Sequence, residues 1–68
     1  MNSKILTNRE YEIFLLLIEN YTTNEIAKKL GISEKTVRNH ISNVIQKLGV
    51  SGRAAAVIVL LRLKEIEL

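Results

Sequence analysis

The most constraining feature of this sequence is a repeated helix-start signal, a threonine followed three residues later by a glutamate. Thr7 with Glu10 and Thr22 with Glu25 both fit a capping box, in which each side chain bonds the backbone N–H of the other residue. Ser33 is a good N-cap for a third helix, because its hydroxyl can accept from an N–H of the first turn. The chain is therefore predicted to be a series of short helices.

Glycine positions and apolar spacing give the remaining helix boundaries. Gly31 and Gly49 lie where left-handed residues would end the second and third helices, and Ser51 is expected to open the fourth. The predicted helices cover about residues 8–19, 23–30, 34–48 and 53–64. Because no strand is required, the predicted fold class is all-α, a single four-helix domain over residues 1–68.

Apolar residues recur at helical spacing in these segments and predict the core. In the third helix they form a stripe with a period of about 3.6 residues. Leu15 of the first helix is expected on the outer side, where a polar residue would be usual. The predicted inward-facing residues are Ile13, Phe14, Leu16, Leu17, Ile26, Ala27, Leu30, Val37, Ile41, Val44, Ile45, Leu48, Ala56, Val57 and Leu60.

Composition excludes several classes of function. The chain has no Cys, no Asp and one His, so it cannot assemble a disulfide, a histidine-rich zinc site or a Ser-His-Asp triad. Its longest apolar run, residues 54–61, is far shorter than the roughly 20 residues of a membrane span, and its start lacks a signal peptide. We therefore expect a cytoplasmic protein that is not an enzyme and uses no cofactor, metal or membrane.

The segment 23–48 has the organisation of a helix-turn-helix, with a short helix, a tight turn and a longer amphipathic helix. Positive charge is concentrated in the same part of the chain, since five basic and two acidic residues lie between positions 21 and 47. This distribution favours binding to a polyanion such as double-stranded DNA.

The side of the third helix opposite its apolar stripe mixes short hydrogen-bonding groups with positive charge. Arg and Lys suit guanine edges and Asn suits adenine, so the predicted base contacts in the major groove are Lys35, Arg38, Asn39 and Ser42. The predicted contacts to the DNA backbone are Thr23, Asn24, Thr36, His40, Asn43, Lys47 and Arg53. The alternative interpretation is an ordinary solvated helix face, and the preceding short helix and tight turn favour DNA binding over it.

The fourth helix is apolar on all sides. Ala56, Val57 and Leu60 can face the core, but a chain of 68 residues cannot bury this helix from every direction. The remaining apolar face is expected to contact a second copy of the chain. The predicted dimer contacts are Ala55, Ile58, Val59 and Arg62. The alternative is that Val59 and Leu61 pack under the first helix.

Three segments closely resemble the LuxR-type helix-turn-helix domain, namely LTNRE (6–10), NEIAKKLGISEKTVRNHI (24–41) and KLGV (47–50) with Arg53. The resemblance implies a four-helix DNA-binding domain that dimerises through its last helix and activates or represses promoters, with RNA polymerase as a possible partner. It also implies that bases are faced by Arg38, Asn39 and Ser42, and the backbone by Thr36, His40 and Lys47.

Other positions refine what the resemblance implies. Glu10 and Glu25 match acidic residues that the family uses internally, so they are interpreted as caps and structural partners. Ser42 stands where other members have a long basic residue, and Lys64 stands where many have Gly, so the last helix is expected to run longer here. The segments SEKTVRNHISN and EIEL are most similar to a small free-standing regulator of sporulation genes, and no built-in sensor domain is expected.

The leading hypothesis is a homodimeric, sequence-specific regulator of transcription. The alternative from another class is a helical protein-interaction module that uses its fourth helix to inhibit a larger transcription regulator. The intact polar side of the third helix favours the first hypothesis. An output domain excised from a longer regulator would use the same DNA chemistry and differ only in its control.

Overall fold

A computed structural model describes residues 5–68 as four helices joined by short connections. The helices are α1 (Asn8–Ile18), α2 (Thr23–Leu30), α3 (Glu34–Leu48) and α4 (Arg53–Arg62). No strand occurs within this described range. The predicted all-α fold class is therefore confirmed, and the predicted bounds of the first three helices are correct to within one residue.

Both predicted capping boxes are present. At the start of α1, the Glu10 N–H donates to Thr7 Oγ1 at 3.1 Å, and the Thr7 N–H donates to Glu10 Oε1 at 3.0 Å. Thr22 and Glu25 exchange the same two bonds at the start of α2, at 3.1 and 2.9 Å. These bonds satisfy N–H groups that would otherwise lack a partner in the first turn, so the sequence itself sets where these helices begin.

Each helix is followed, within two residues of its end, by a residue in the left-handed conformation. These residues are Asn20, Gly31, Gly49 and Lys64. The following residue donates its N–H to the carbonyl five residues earlier, as in Tyr21 to Leu16, Ile32 to Ala27, Val50 to Ile45, and Glu65 to Leu60. This arrangement is the Schellman motif, and it turns the chain sharply away from the helix axis. The predicted roles of Gly31 and Gly49 are therefore confirmed.

Two predictions about α4 are wrong. Its N-cap is Gly52, with extended backbone and no side-chain cap, rather than Ser51. The helix also stops at Arg62 instead of extending through Lys64, which takes a positive φ of 59°. The turn at Lys64 buries Ile66 to 2% exposure, and this apolar burial offsets the roughly 1 kcal/mol that a left-handed non-glycine residue costs.

The core draws on all four helices and on the segments that flank them. Its buried apolar residues are Leu6, Ile13, Phe14, Ile26, Ala27, Val37, Ile41, Val44, Ala56, Leu60 and Ile66. The other predicted core residues, from Leu16 in α1 to Val57 in α4, are half-buried and pack against this cluster. Leu15 is half-buried as well, instead of lying fully outside, and it lines a shallow groove together with Leu30 of α2.

Helix α3 is central, since it packs against each of the other three helices. Its Val37, Ile41 and Val44 are at most 3% exposed, so one side is committed to the core and the opposite side stands free. In the described part of the chain, no single helix is long and apolar enough to span a membrane. Among the described helices, α3 and α4 taken together, across a bend of 60°, are the one pair with the length and composition for it.

Candidate nucleic-acid interface

The turn between α2 and α3 is set by Gly31 and Ser33. Gly31 adopts φ 69° and ψ 35°, a conformation that costs glycine little, and it lets the chain leave α2 at once. Ser33 then caps α3 by accepting from the Thr36 N–H at 3.0 Å. Only three residues separate the two helices, so the start of α3 is fixed relative to α2. This is the local geometry that a helix-turn-helix requires.

The predicted base contacts share one exposed face. Lys35, Arg38, Asn39 and Ser42 are all exposed, and they lie on the side of α3 opposite its buried apolar stripe. The structure therefore brings these four residues together on a surface that the chain itself does not cover. Donors and acceptors on such an exposed helix face can meet base edges in the major groove.

The residues predicted to contact the DNA backbone are more varied in exposure. Asn24, Asn43, Lys47 and Arg53 are exposed, whereas Thr23, Thr36 and His40 are half-buried. Arg53 has different surroundings from the other predicted backbone contacts. It lines a groove of about 390 Å³ together with Tyr21 and Ile58, beside the exposed face of α4.

The Thr36 side chain is bonded to the N-cap residue of α3. The Ser33 hydroxyl donates to Thr36 Oγ1 at 2.9 Å, so the Thr36 oxygen acts as an acceptor inside the protein. This bond does not use the Thr36 hydroxyl proton, and Thr36 lies in the first turn of α3. A hydroxyl beside a helix N-terminus suits a phosphate oxygen, because the free N–H groups and the helix dipole favour negative charge there.

Glu34 is a residue at this surface to which no role was predicted. Its Oε1 accepts from Thr23 Oγ1 at 3.2 Å and from Arg38 Nη2 at 3.3 Å. The i, i+4 spacing of Glu34 and Arg38 could have predicted the second contact. The first joins two helices across eleven positions of sequence, and no local pattern indicates it.

Lys47 has a structural role at the other end of α3. Its Nζ donates to Glu10 Oε1 at 2.7 Å and to the Ile5 carbonyl at 3.1 Å. The Glu10 side chain is 5% exposed and that of Lys47 is 34% exposed. Since an ammonium group has three N–H donors, these two bonds leave one of them unused. Glu10 is thus both the cap and the structural partner that the sequence indicated.

The Glu10 carboxylate is stabilised in its charged form. Burial raises the pKa of Glu10, but the hydrogen bonds from Lys47 and from the Thr7 backbone lower it. The positive charge of Lys47 and the neighbouring His40 lower the pKa further, and the net pKa lies below the ordinary value of 4.5. The carboxylate therefore remains ionised although it is buried.

The exposed face of α4 is apolar at its centre. Ile58 is 53% exposed, Arg62 is exposed, and Ala55 and Val59 are half-buried, so the four predicted dimer contacts retain accessible surface. Leu61 is half-buried and packs on the core. No group of three or more potential metal ligands occurs within the described residues.

Comparisons with known proteins give one consistent result. The family model GerE, described as bacterial regulatory proteins of the luxR family, matches residues 4–60. Spore germination protein GerE of Bacillus subtilis (strain 168) is 64% identical over 64 residues, which cover 94% of this chain and 86% of that protein. Transcriptional regulatory protein DegU of Brevibacillus brevis is 48% identical over 54 residues, covering 79% of this chain and 23% of DegU.

Solved structures show the same likeness in three dimensions. The structure of the transcription factor GerE superposes with a TM-score of 0.89 at 64% identity, covering 91% of this chain and 92% of that one. The response regulator ChrA of a heme-sensing two-component system superposes with a TM-score of 0.85 at 35% identity, covering 97% of this chain and 33% of ChrA.

Proposed function

This chain belongs to the luxR family of bacterial regulatory proteins, and we propose that it is a homodimeric transcription regulator that binds specific sequences of double-stranded DNA. The observation that carries the proposal is the exposed ridge of Lys35, Arg38, Asn39 and Ser42 on α3. These side chains supply the donors and acceptors that base edges require, on a helix whose opposite side is buried.

Contacts to phosphates set the register of α3 in the groove. We assign them to Thr23, Asn24, Thr36, His40, Asn43, Lys47 and Arg53, with the Thr36 hydroxyl and the third N–H of Lys47 as available donors. Such contacts contribute affinity for any duplex, and the ridge on α3 then selects among sequences.

Dimerisation through α4 completes the proposal. The exposed Ile58 and its neighbours Ala55, Val59 and Arg62 offer an apolar face that a two-fold axis would cover. Two recognition helices would then reach half-sites about one helical turn, or roughly 10 bp, apart. Burial of this face would also stabilise a domain whose own core is small.

The cellular role is proposed from the relatives. The name of the Bacillus subtilis relative refers to spore germination, so we propose sporulation genes as targets, and RNA polymerase as a further partner at their promoters. Residues 1–68 would act as one domain in the cytoplasm.

Selection of binding sites from a random duplex pool tests DNA recognition. The enriched duplex and a scrambled control are then titrated at low and high salt. We expect the enriched duplex to bind at least about 10³-fold more tightly at physiological salt. Equal affinity for both duplexes would reject sequence-specific recognition. If the protein binds neither duplex but binds a larger transcription regulator, the alternative of an inhibitory protein-interaction module is favoured instead.

Replacement of Ile58 tests the dimer. Ile58→Glu puts a charge into the proposed apolar contact, so sedimentation should show more monomer and affinity for the enriched duplex should fall. Glu67→Gln, a change at an exposed residue outside α4, serves as the control. A variant with unchanged sedimentation and unchanged DNA affinity would show that α4 is not the interface.

A further inference from the structure

A single carboxylate oxygen connects the two helices of the helix-turn-helix to one candidate base contact. Glu34 Oε1 receives the Thr23 hydroxyl and Arg38 Nη2, at 3.2 and 3.3 Å. Glu34 is the first residue of α3, where the helix dipole favours a negative charge. Of the four base candidates, Arg38 alone has an ion-pair partner within residues 5–68.

The contact with Glu34 leaves most of the Arg38 guanidinium available. Nη2 carries two N–H groups, and one of them is directed at the carboxylate. The other N–H of Nη2 still forms an edge with two parallel donors, either with the adjacent Nη1 or with Nε. Such an edge matches O6 and N7 of guanine, so Arg38 can be held by Glu34 and read a base at the same time.

The exposure of the pair fits a contact that positions a side chain and contributes little stability. The side chain of Arg38 is 56% exposed and that of Glu34 is 37% exposed, at an N···O distance of 3.3 Å. A pair of this kind is weak in water and can adjust when a ligand arrives. Without it, the long Arg38 side chain would be free to reach phosphates, which are the same in every sequence.

We propose that Glu34 is a positioning residue that directs the Arg38 guanidinium toward base edges and away from phosphates, and thereby raises the ratio of specific to non-specific DNA binding. This inference rests on the proposed function. It gives a role in DNA recognition to Glu34, which is neither a base contact nor a backbone contact. The negative charge of Glu34 opposes any duplex, and base contacts by Arg38 offset this cost only at the preferred sequence.

The test replaces Glu34 by glutamine, which keeps an oxygen acceptor for Thr23 and removes the charge that holds Arg38. We expect affinity for a scrambled duplex to rise about two- to fivefold at low salt. The slope of log K against log salt for that duplex should steepen by about 0.9, the value for one added phosphate contact. Affinity for the enriched duplex should change less, so the ratio of the two affinities falls.

Two controls separate positioning from a general effect of charge. Glu12→Gln removes the same charge from an exposed α1 residue that pairs with Arg9 at 3.8 Å, and it should leave the affinity ratio unchanged. In an Arg38→Ala background, Glu34→Gln should no longer alter the ratio, because the group that it holds is absent.

The outcomes distinguish this inference from the proposed function. If the unaltered protein does not discriminate between the enriched and scrambled duplexes, the proposed function fails. If it discriminates and Glu34→Gln changes neither the ratio nor the salt slope, the positioning role alone is overturned. An equal change in the ratio with and without Arg38 overturns it as well.

Discussion

The two ends of α3 each carry an acid–base pair, and the pairs differ in burial and in geometry. At the C-terminal end, Lys47 and Glu10 approach to 2.7 Å and the Glu10 side chain is 5% exposed. At the N-terminal end, Arg38 and Glu34 are 3.3 Å apart and the Glu34 side chain is 37% exposed. One pair joins elements that are distant in sequence, and the other joins neighbouring turns of one helix.

This difference shows how the same charge chemistry serves two purposes. Removing one partner of a buried pair leaves an uncompensated charge in the protein, which costs several kcal/mol, whereas an exposed pair contributes about 0–1 kcal/mol. Helix α3 is therefore anchored where Lys47 meets the core, and its side chains can adjust near Arg38. That division suits a helix that must be rigid in the protein and adaptable toward a ligand.

The largest expected effect is on stability, at the buried end of α3. Lys47→Met keeps most of the aliphatic stem but leaves the Glu10 carboxylate unpaired, so the free energy of unfolding should fall by about 2–4 kcal/mol. Arg38→Met, the matched change at the exposed end, should cost less than about 0.5 kcal/mol. Urea unfolding followed by circular dichroism measures both. If Lys47→Met and Arg38→Met lower the free energy of unfolding by similar amounts, the two ends of α3 do not differ in their contribution to stability.

A somewhat smaller effect is expected on DNA binding, toward the exposed end. Asn39→Ala should lose about 1–3 kcal/mol on the preferred site and relax specificity at one position. Asn43→Ala, at a proposed backbone contact, should weaken all sequences alike. Titrations against single-base variants of the enriched duplex distinguish the two patterns. If both variants lose affinity uniformly, the division into base and phosphate contacts is wrong.

A double variant sharpens the role of Lys47. Glu10→Gln keeps the oxygen that caps Thr7 and removes the buried charge, so adding it to Lys47→Met should restore about 1–2 kcal/mol of unfolding free energy. The slope of log K against log salt for a random duplex should be shallower by about 0.9 in the double variant than in Glu10→Gln alone, because one phosphate contact is lost. An unchanged slope would restrict Lys47 to its structural role.

The smallest expected effect is on how the free energy of unfolding depends on pH at the pair of Glu10 and Lys47. Because the pKa of Glu10 lies below 4.5 in the folded chain, its pairing stabilises the fold above that pH, and this contribution disappears as the pH falls through the folded-state pKa. In Lys47→Met, burial acts on Glu10 without its main opposing partner, so its pKa should rise. The difference in unfolding free energy between the unaltered protein and the Lys47→Met variant should therefore become smaller as the pH falls from about 7 to about 3. If the difference in unfolding free energy stays constant over this pH range, the Glu10 carboxylate is not its source.

The local parts of this fold were predictable from sequence, because their causes lie within a few residues. The capping boxes at Thr7 and Thr22 and the glycines that end α2 and α3 depend on neighbours three to five positions away. The apolar stripe of α3 likewise indicated which side of the helix would be exposed. The candidate base contacts followed from that stripe, and the structure places all four on the exposed side.

What the sequence did not predict depends on contacts between distant residues. The link between Glu10 and Lys47 spans 37 positions, and its geometry exists only when α1 and α3 are packed. The end of α4 was mispredicted because burial of Ile66 outweighs the preference against a left-handed lysine at position 64. The bond between Thr23 and Glu34 was also not predicted, since it joins two helices.

The backbone of Ile5 is held from two sides, its N–H by Glu65 at 3.1 Å and its carbonyl by Lys47 at 3.1 Å. The beginning and the end of the described chain therefore lie side by side. A circularly permuted protein, with a short linker joining these ends and new termini in the exposed connection between α3 and α4, should keep the native topology.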